Sequence, residues 1–283
     1  MIADDKREEM IDKSVLEVHS LSSGSSGNSF LVKSGKTSVL IDAGIGMRKL
    51  CGMMSLRGVS SETLSGIFMT HEHTDHSIGA GPLSRKTKAP IIANAATLQA
   101  LAYRDDLPFP TRELPTGDCL SFGNLSVRSF RVPHDAVETV GYIVESEGVR
   151  IALMTDSGSA TPEMREALKG VNLAIVEANH DLDWLWRGPY TQDMKERVAS
   201  PTGHLSNNDC ADLLAETLEA NGLMTIWLAH LSRVNNSVSL ARKTVQKRIK
   251  EQTKVPFLLE VALRDEPSVS WKSGARAVQL ALL

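Results

Sequence analysis

The run His71-Glu72-His73-Thr74-Asp75-His76 constrains this chain more than any other stretch. It follows directly on Gly66-Ile67-Phe68-Met69-Thr70, a short apolar segment that predicts a buried strand. A strand that ends in three histidines and an aspartate brings them together on one tight loop at a sheet end, where functional side chains concentrate. Imidazole is a borderline ligand and carboxylate a hard one. In a tight loop His71 and His73 can turn to one metal while Asp75 and His76 reach a second. The bland alternative is a polar surface loop rich in histidine by chance. The apolar strand that runs straight into the cluster argues against it.

The rest of the chain supplies more strands. Segments 15–21, 29–34 and 37–43 are apolar runs, the last two joined by Gly35-Lys36 as a hairpin. Helical spacing follows at 47–58, and short helices flank a strand at 90–94. The second half repeats the theme, with strands at 125–132, 139–146, 149–156, 172–178, 224–230 and 255–263. Pro162 at a first turn opens a helix to Leu168, Ser206 caps another to about Glu219, and an amphipathic basic helix covers Val238 to Lys250. Strand-rich blocks followed by helices occur twice, which predicts an α/β protein: two sheets packed together with helices outside, a four-layer αββα sandwich. No linker interrupts the pattern. Residues 1–13 are a polar tail, 14–263 one domain, and 264–283 a C-terminal extension to which the sequence assigns no role.

Composition excludes several classes. The chain has 283 residues, 42% of them hydrophobic, enough for a sizeable core and too many for disorder. No apolar run nears the roughly 18 residues of a membrane span. The charged N-terminus is not a secretory signal. Cys51, Cys119 and Cys210 are odd in number and widely spaced, which favours free thiols in a reducing, cytoplasmic compartment. The formal charge of −3 does not announce a nucleic-acid binder, so any polyanion must be held by local arrangement or by metal.

The H-x-H-x-D-H run resembles the signature of the metallo-β-lactamase superfamily. Three later residues fall in that superfamily's order, each after a predicted strand: His134 in Arg-Val-Pro-His, Asp156 in Met-Thr-Asp-Ser-Gly and His230 in Leu-Ala-His. Five further motifs, SLSSGSSGNSFLV, IDAG, EANHD, GHLSNND and HLSRVNN, are similar to the YycJ/WalJ branch, bacterial metallohydrolases associated with exonuclease activity on DNA. The resemblance implies that His71, His73 and His134 hold a first metal, that Asp75, His76 and His230 hold a second, and that Asp156 bridges them. Two divalent ions, zinc or manganese, would share a hydroxide that attacks phosphorus. Asp75 would also orient the attacking water. The resemblance further implies DNA as substrate, 5′-to-3′ exonuclease polarity and no membrane partner; the oligomeric state stays open.

Other residues carry two readings each. His204, just before a capped helix, either stabilises or protonates the leaving oxygen or is a loop histidine bonded to backbone. His180, after a strand, has the same two readings. The Gly/Ser loop 22–28 either turns its N–H groups to the metals, with Ser25 and Asn28 near substrate, or makes a tight strand connection. Arg187, Lys195 and Arg197 flank a Trp-Leu-Trp-Arg-Gly-Pro-Tyr insertion and could line a groove. Trp184, Trp186 and Tyr190 there either stack bases or pack as a lid. The polar segments holding Ser206, Arg233 and Asn235 lean toward phosphate, while the Arg242–Lys250 run is a solvated helix face and His19 is structural. The same metal site would also serve a small ester, thioester, lactone or cyclic phosphodiester, whose enzymes need a closed slot rather than an open basic groove. A metal-bound scaffold without turnover is a further class, against which the complete ligand set argues.

Overall fold

The apolar runs become strands because alternating or continuous Val, Ile, Leu and Phe can be buried on both faces only between layers. The computed structural model describes residues 15–104 and 109–274, so the polar N-terminal tail and residues 275–283 lie outside the described residues. One seven-stranded sheet holds β1 (Leu16–Ser22), β2 (Ser29–Ser34), β3 (Thr37–Ile41), β4 (Gly66–Phe68), β5 (Ile91–Ala93), β6 (Thr111–Glu113) and β14 (Ser270–Lys272). The other holds β7 (Cys119–Phe122), β8 (Leu125–Arg131), β9 (Val140–Ser146), β10 (Val149–Met154), β11 (Leu173–Glu177), β12 (Met224–Ala229) and β13 (Phe257–Val261).

The two sheets follow one plan. In the order β14-β1-β2-β3-β4-β5-β6 the first three pairings are antiparallel and the last three parallel. The order β7-β8-β9-β10-β11-β12-β13 shows the same switch. Strands β3 and β10 therefore occupy equivalent places. Asp42-Ala43-Gly44 leaves the first and Asp156-Ser157-Gly158 the second, and both aspartates have left-handed backbone, at φ 59° and 57°. The sequence repeats the strand-and-helix theme but does not by itself pair these two turns.

Three apolar clusters fill the layers. Between the sheets, Phe30, Val39, Ile41 and Phe68 meet Val127, Tyr142, Leu153, Ile175 and Trp227. The indole of Trp227 is fully buried and donates to Glu260 at 2.9 Å, so its polar edge is not stranded. The outer face of the first sheet is covered by α1 (Met47–Leu56), α3 (Ala80–Thr87) and α4 (Ala95–Arg104), and α2 (Thr74–Ser77) is a single turn. The second is covered by α5 (Pro162–Ala167), α8 (Asn207–Asn221) and α9 (Val238–Gln252). The fold is the αββα sandwich.

The structure adds elements to those expected. Strand β14 pairs antiparallel with β1, opposing Trp271 to Val18, so part of the stretch after residue 263 belongs to the first sheet. Helices α6 (Leu182–Arg187) and α7 (Gln192–Val198), capped by the Asp181 and Thr191 side chains, occupy the insertion. No helix among the described residues is long and apolar enough to cross a membrane.

Candidate metal centre

Parallel strands bring their carboxyl ends to one edge of a sheet, and the polar cluster sits there. Asp42 leaves β3, His71 follows β4, Asp156 follows β10, Glu177 ends β11 and His230 follows β12. His134 comes from the turn between β8 and β9. Backbone bonds fix the histidine loop to its neighbours: the Asn28 N–H donates to the Asp75 carbonyl at 2.7 Å, and the Ala43 N–H to that of His76 at 2.7 Å. Gly44 makes this possible, since a Cβ there would overlap the carbonyl of Asp75.

Five histidines are held by the same ring atom. The Nδ1 of His71 lies 2.9 Å from Thr70 Oγ1, that of His76 2.7 Å from Asp42, and that of His134 3.0 Å from the Gly203 carbonyl. The Nδ1 atoms of His204 and His230 both lie 2.8 Å from Glu177 Oε1. Thr70 in turn donates to Asp42 at 2.8 Å, so the bond from His71 runs on to a carboxylate. A ring that donates from Nδ1 keeps a lone pair on Nε2, which is how carboxylates and carbonyls prepare histidine for a cation. The Nε2 of His71 is buried and has no hydrogen-bond partner. The Nε2 of His76 lies 2.9 Å from Asp156, and the Asn28 amide reaches it at 3.0 Å. The Nε2 of His230 lies 3.4 Å from Asp75.

The electrostatics divide the histidines into two kinds. Burial pushes the pKa of His71 well below the ordinary value and lowers that of His134, so both are neutral. Burial also opposes charge on His76, yet the Asp156 and Asp42 carboxylates outweigh it and hold that pKa well above the ordinary value. His230 is pushed up to about 10 in the same way, against burial, by Asp156, Asp75 and Glu177. Burial would raise the carboxylates; instead His230 and His76 hold Asp156 well below the usual range, and His204 and His230 bring Glu177 down to about 2. An entering cation would take the place of the protons on His76 and His230.

The donor set fits divalent metal. Ligand atoms of His71, His73 and His134 lie within 4.8 Å of one another, as do those of His71, His76 and Asp156, and those of Asp75, His76 and His230. His71, His76, Asp156 and His230 form a buried floor, and the ring of His134 is buried with them, while His73, Asp75 and His204 are half-buried and open to solvent. Three of the residues here, Asp42, Asp156 and His230, are non-glycine residues with left-handed backbone. Such strain costs on the order of 1–3 kcal/mol per residue and persists where surroundings over-determine it.

The structure thus brings His71, His73, Asp75, His76, His134, Asp156, His204 and His230 into one cluster. His180 is buried with both ring nitrogens unpartnered, and no ring or hydrogen-bond contact joins it to the others. Asn28 is buried, bonding Gly24 and His76. Ser206 is buried as the cap of α8, in a capping box with Asp209. Asn235 is buried with its amide unpartnered, and Arg233 pairs with Asp265 at 2.9 Å. Ser25 and Arg187 are exposed. Asp42, Thr70 and Glu177 lie outside the sequence-based set; for the two acids the signal in the sequence is a lone carboxylate at the end of an apolar strand, in Ile-Asp-Ala-Gly and in Val-Glu-Ala-Asn, and Thr70 has none.

Comparison with known proteins gives relatives on both sequence and fold. The profile of the beta-lactamase superfamily domain matches residues 37–225. The chain is 35% identical over 234 residues to exodeoxyribonuclease YycJ of Bacillus anthracis, covering 82% of this chain and 88% of that one. It is 36% identical over 229 residues to exodeoxyribonuclease WalJ of Streptococcus pneumoniae, covering 80% and 85%. In fold it is similar to the metallo-beta-lactamase fold protein YhfI of Bacillus subtilis, with a TM-score of 0.68 at 18% identity over 92% of this chain and 100% of that one.

Proposed function

Because this chain belongs to the beta-lactamase superfamily, as a metal-dependent hydrolase of its YycJ/WalJ-like members, we propose that it is an exodeoxyribonuclease that degrades DNA from 5′ to 3′. The observation that carries the reading is the set of inward-facing histidines, each anchored at Nδ1, around Asp156. The two exodeoxyribonuclease relatives support the choice of DNA over other phosphodiesters.

His71, His73 and His134 would hold one divalent ion and Asp75, His76 and His230 a second, with Asp156 between the two sets. Zinc or manganese suits this mixture of nitrogen and oxygen donors, with no thiolate among them. Such ions would activate water and neutralise phosphate oxygens. The protein's own share is proton handling and positioning. Asp75 is half-buried, with one oxygen 3.4 Å from His230, and can accept from the attacking water. His204 lies at the open side with Nδ1 on Glu177, which leaves Nε2 to give a proton to the departing sugar oxygen. Burial disfavours charge on that ring, but Glu177 and Asp156 raise its pKa above the ordinary value, as a proton donor at neutral pH requires.

The test is degradation of 5′-phosphorylated single-stranded DNA with manganese or zinc, beside Asp156→Ala. The expected result is metal-dependent release of mononucleotides by the native chain, and loss of both metal and activity in the variant. Full metal and full turnover in Asp156→Ala would overturn the two-ion arrangement. Hydrolysis of a small ester or cyclic phosphodiester with no cleavage of DNA would keep the site and overturn the substrate.

A further inference from the structure

A groove of about 510 Å³ is lined by Asp181, Asp183, Trp184, Arg187, Val234 and Leu240 with Gly188. Both of its walls are continuations of strands that end in the metal centre. Helix α6 begins five residues after Glu177, and the opposite wall begins with Val234, four residues after His230. Four residues span at most about 14 Å of chain, so the groove opens within a few nucleotides' reach of the cluster. The two walls are tied by the Asp181 N–H, which donates to the Asn235 carbonyl at 2.9 Å.

The side chains facing this groove are unusual for open surface. Trp184 is 47% exposed and Val234 41% exposed, so a large ring and an aliphatic side chain both line the groove in contact with solvent. Trp184 and Arg187 are three residues apart on α6 and share one face of it, whereas Trp186 points elsewhere. The guanidinium of Arg187 has no ion-pair or hydrogen-bond partner among the described residues, unlike Arg197, Arg233 and Arg248, which are paired to Asp135, Asp265 and Asp212. An exposed indole beside an unpaired guanidinium matches the two parts of a nucleotide, a flat base and an anionic phosphate. The carboxylates bear on the orientation. Asp181 is engaged in capping the Trp184 N–H at 3.1 Å, and Asp183 sits on the first turn of α6. They repel phosphate from that end, so the base lies against Trp184, Val234 and Leu240 and the phosphate at Arg187.

From this geometry we infer that the groove between α6 and residues 234–240 is a single-stranded DNA subsite, in which Trp184 stacks one base of the strand and Arg187 holds its phosphate. The inference rests on the exodeoxyribonuclease reading for its ligand class.

Binding tests it independently of turnover. The metal-loaded chain is titrated into a fluorescein-labelled, ten-residue oligothymidylate with phosphorothioate linkages, and anisotropy gives the Kd. Stacking of one base is sequence-tolerant and substantial, so Trp184→Ala is expected to weaken binding at least about fivefold. Trp184→Phe, which keeps a π-face, stays within about twofold. Arg187→Ala lowers the dependence of log K on log salt by about 0.7, the value for one phosphate on a single strand. Tyr103→Ala, at a 92% exposed aromatic on α4, serves as the control and binds as the native chain does. Metal content measured on each variant shows that the centre is assembled. Binding by Trp184→Ala within twofold of native, equal loss in the Ala and Phe variants, or no binding by the native chain would each overturn the subsite. Binding that depends on Trp184 in a chain that cleaves no DNA would overturn the nuclease reading and leave the subsite standing.

Discussion

Glu177 has no solvent contact, yet four donors converge on it: the rings of His204 and His230 on one oxygen and the N–H groups of Ser157 and Leu205 on the other. Glu177→Gln keeps the shape, removes the charge and turns an amide donor toward at least one of those donors. Positioning partners of this kind are worth 10–100-fold in metal affinity or activity. The expected outcome is a fall in kcat of about that size with the fold intact, measured as turnover and thermal melting side by side. A kcat within twofold of native would separate Glu177 from the chemistry. His180 makes a different demand. Burial pushes its pKa down to about 4, with nearby carboxylates too weak to restore it. The unfolded chain takes up a proton near pH 6.5 while the folded chain does not, so the contribution is complete above 6.5 and is lost as pH falls toward 4. The full loss is on the order of 3 kcal/mol. His180→Gln should flatten the stability curve over that window relative to native, in denaturant titrations run with chelator so that metal release does not contribute. Parallel curves would sink the assignment. The run from His71 to His76 was legible in the sequence because its members are contiguous, and His134, Asp156 and His230 through their order after predicted strands. Asp42 and Glu177 were not, because a single carboxylate after a strand has no local partner to mark it, and its role appears only when another strand brings a ring to it.

Among elements, the strands were legible where they are buried on both faces. Strand β11 is buried at every residue and β12 likewise, so continuous apolar composition marked them. Strand β6 has three residues, all exposed, and carries no such signal; it is a strand because Ile91, Ile92 and Ala93 of β5 offer it a free edge. Helices α6 and α7 have only six and seven residues, too short for an apolar period, and are defined by their caps. The connection after β3 shows how an element positions the site. Gly44 lies against the Asp75 carbonyl and the Asn28 N–H, both of them backbone that cannot swing away. In Gly44→Ala the histidine loop must shift. Displacement of reacting groups by about 1 Å costs on the order of a hundredfold, and overpacking costs about 1–3 kcal/mol. The expected variant melts earlier and loses at least tenfold in turnover, about one order below native. Native activity in that variant would mean that the loop is not held by this contact.

At the scale of the whole molecule, the two sheets are one plan used twice, and the centre lies where their equivalent ends meet. The matching Asp-Ala-Gly and Asp-Ser-Gly turns have diverged in role: Asp42 anchors the ring of His76, while Asp156 faces the cluster itself. That division was invisible in sequence, since two three-residue matches 114 positions apart (156 less 42) stand out only after the strands are superposed. It has a mechanical consequence. His71, His73, Asp75 and His76 hang from the first sheet, and His134, Asp156 and His230 from the second, so ions held among them tie the halves together. Buried apolar clusters lie between the sheets and under the helices on each outer face, so the fold does not depend on that tie. Metal at about a hundred times its Kd stabilises by about 2.7 kcal/mol, and in a chain of this size each kcal/mol moves the melting temperature by about 2–4 °C. Chelation should therefore lower the Tm by roughly 5–10 °C in one cooperative transition, with the far-ultraviolet circular dichroism at 25 °C unchanged. Collapse of the dichroism would place the metal among the requirements of folding, as in domains too small to form a core. An unmoved Tm would show that no ion bridges the two sheets.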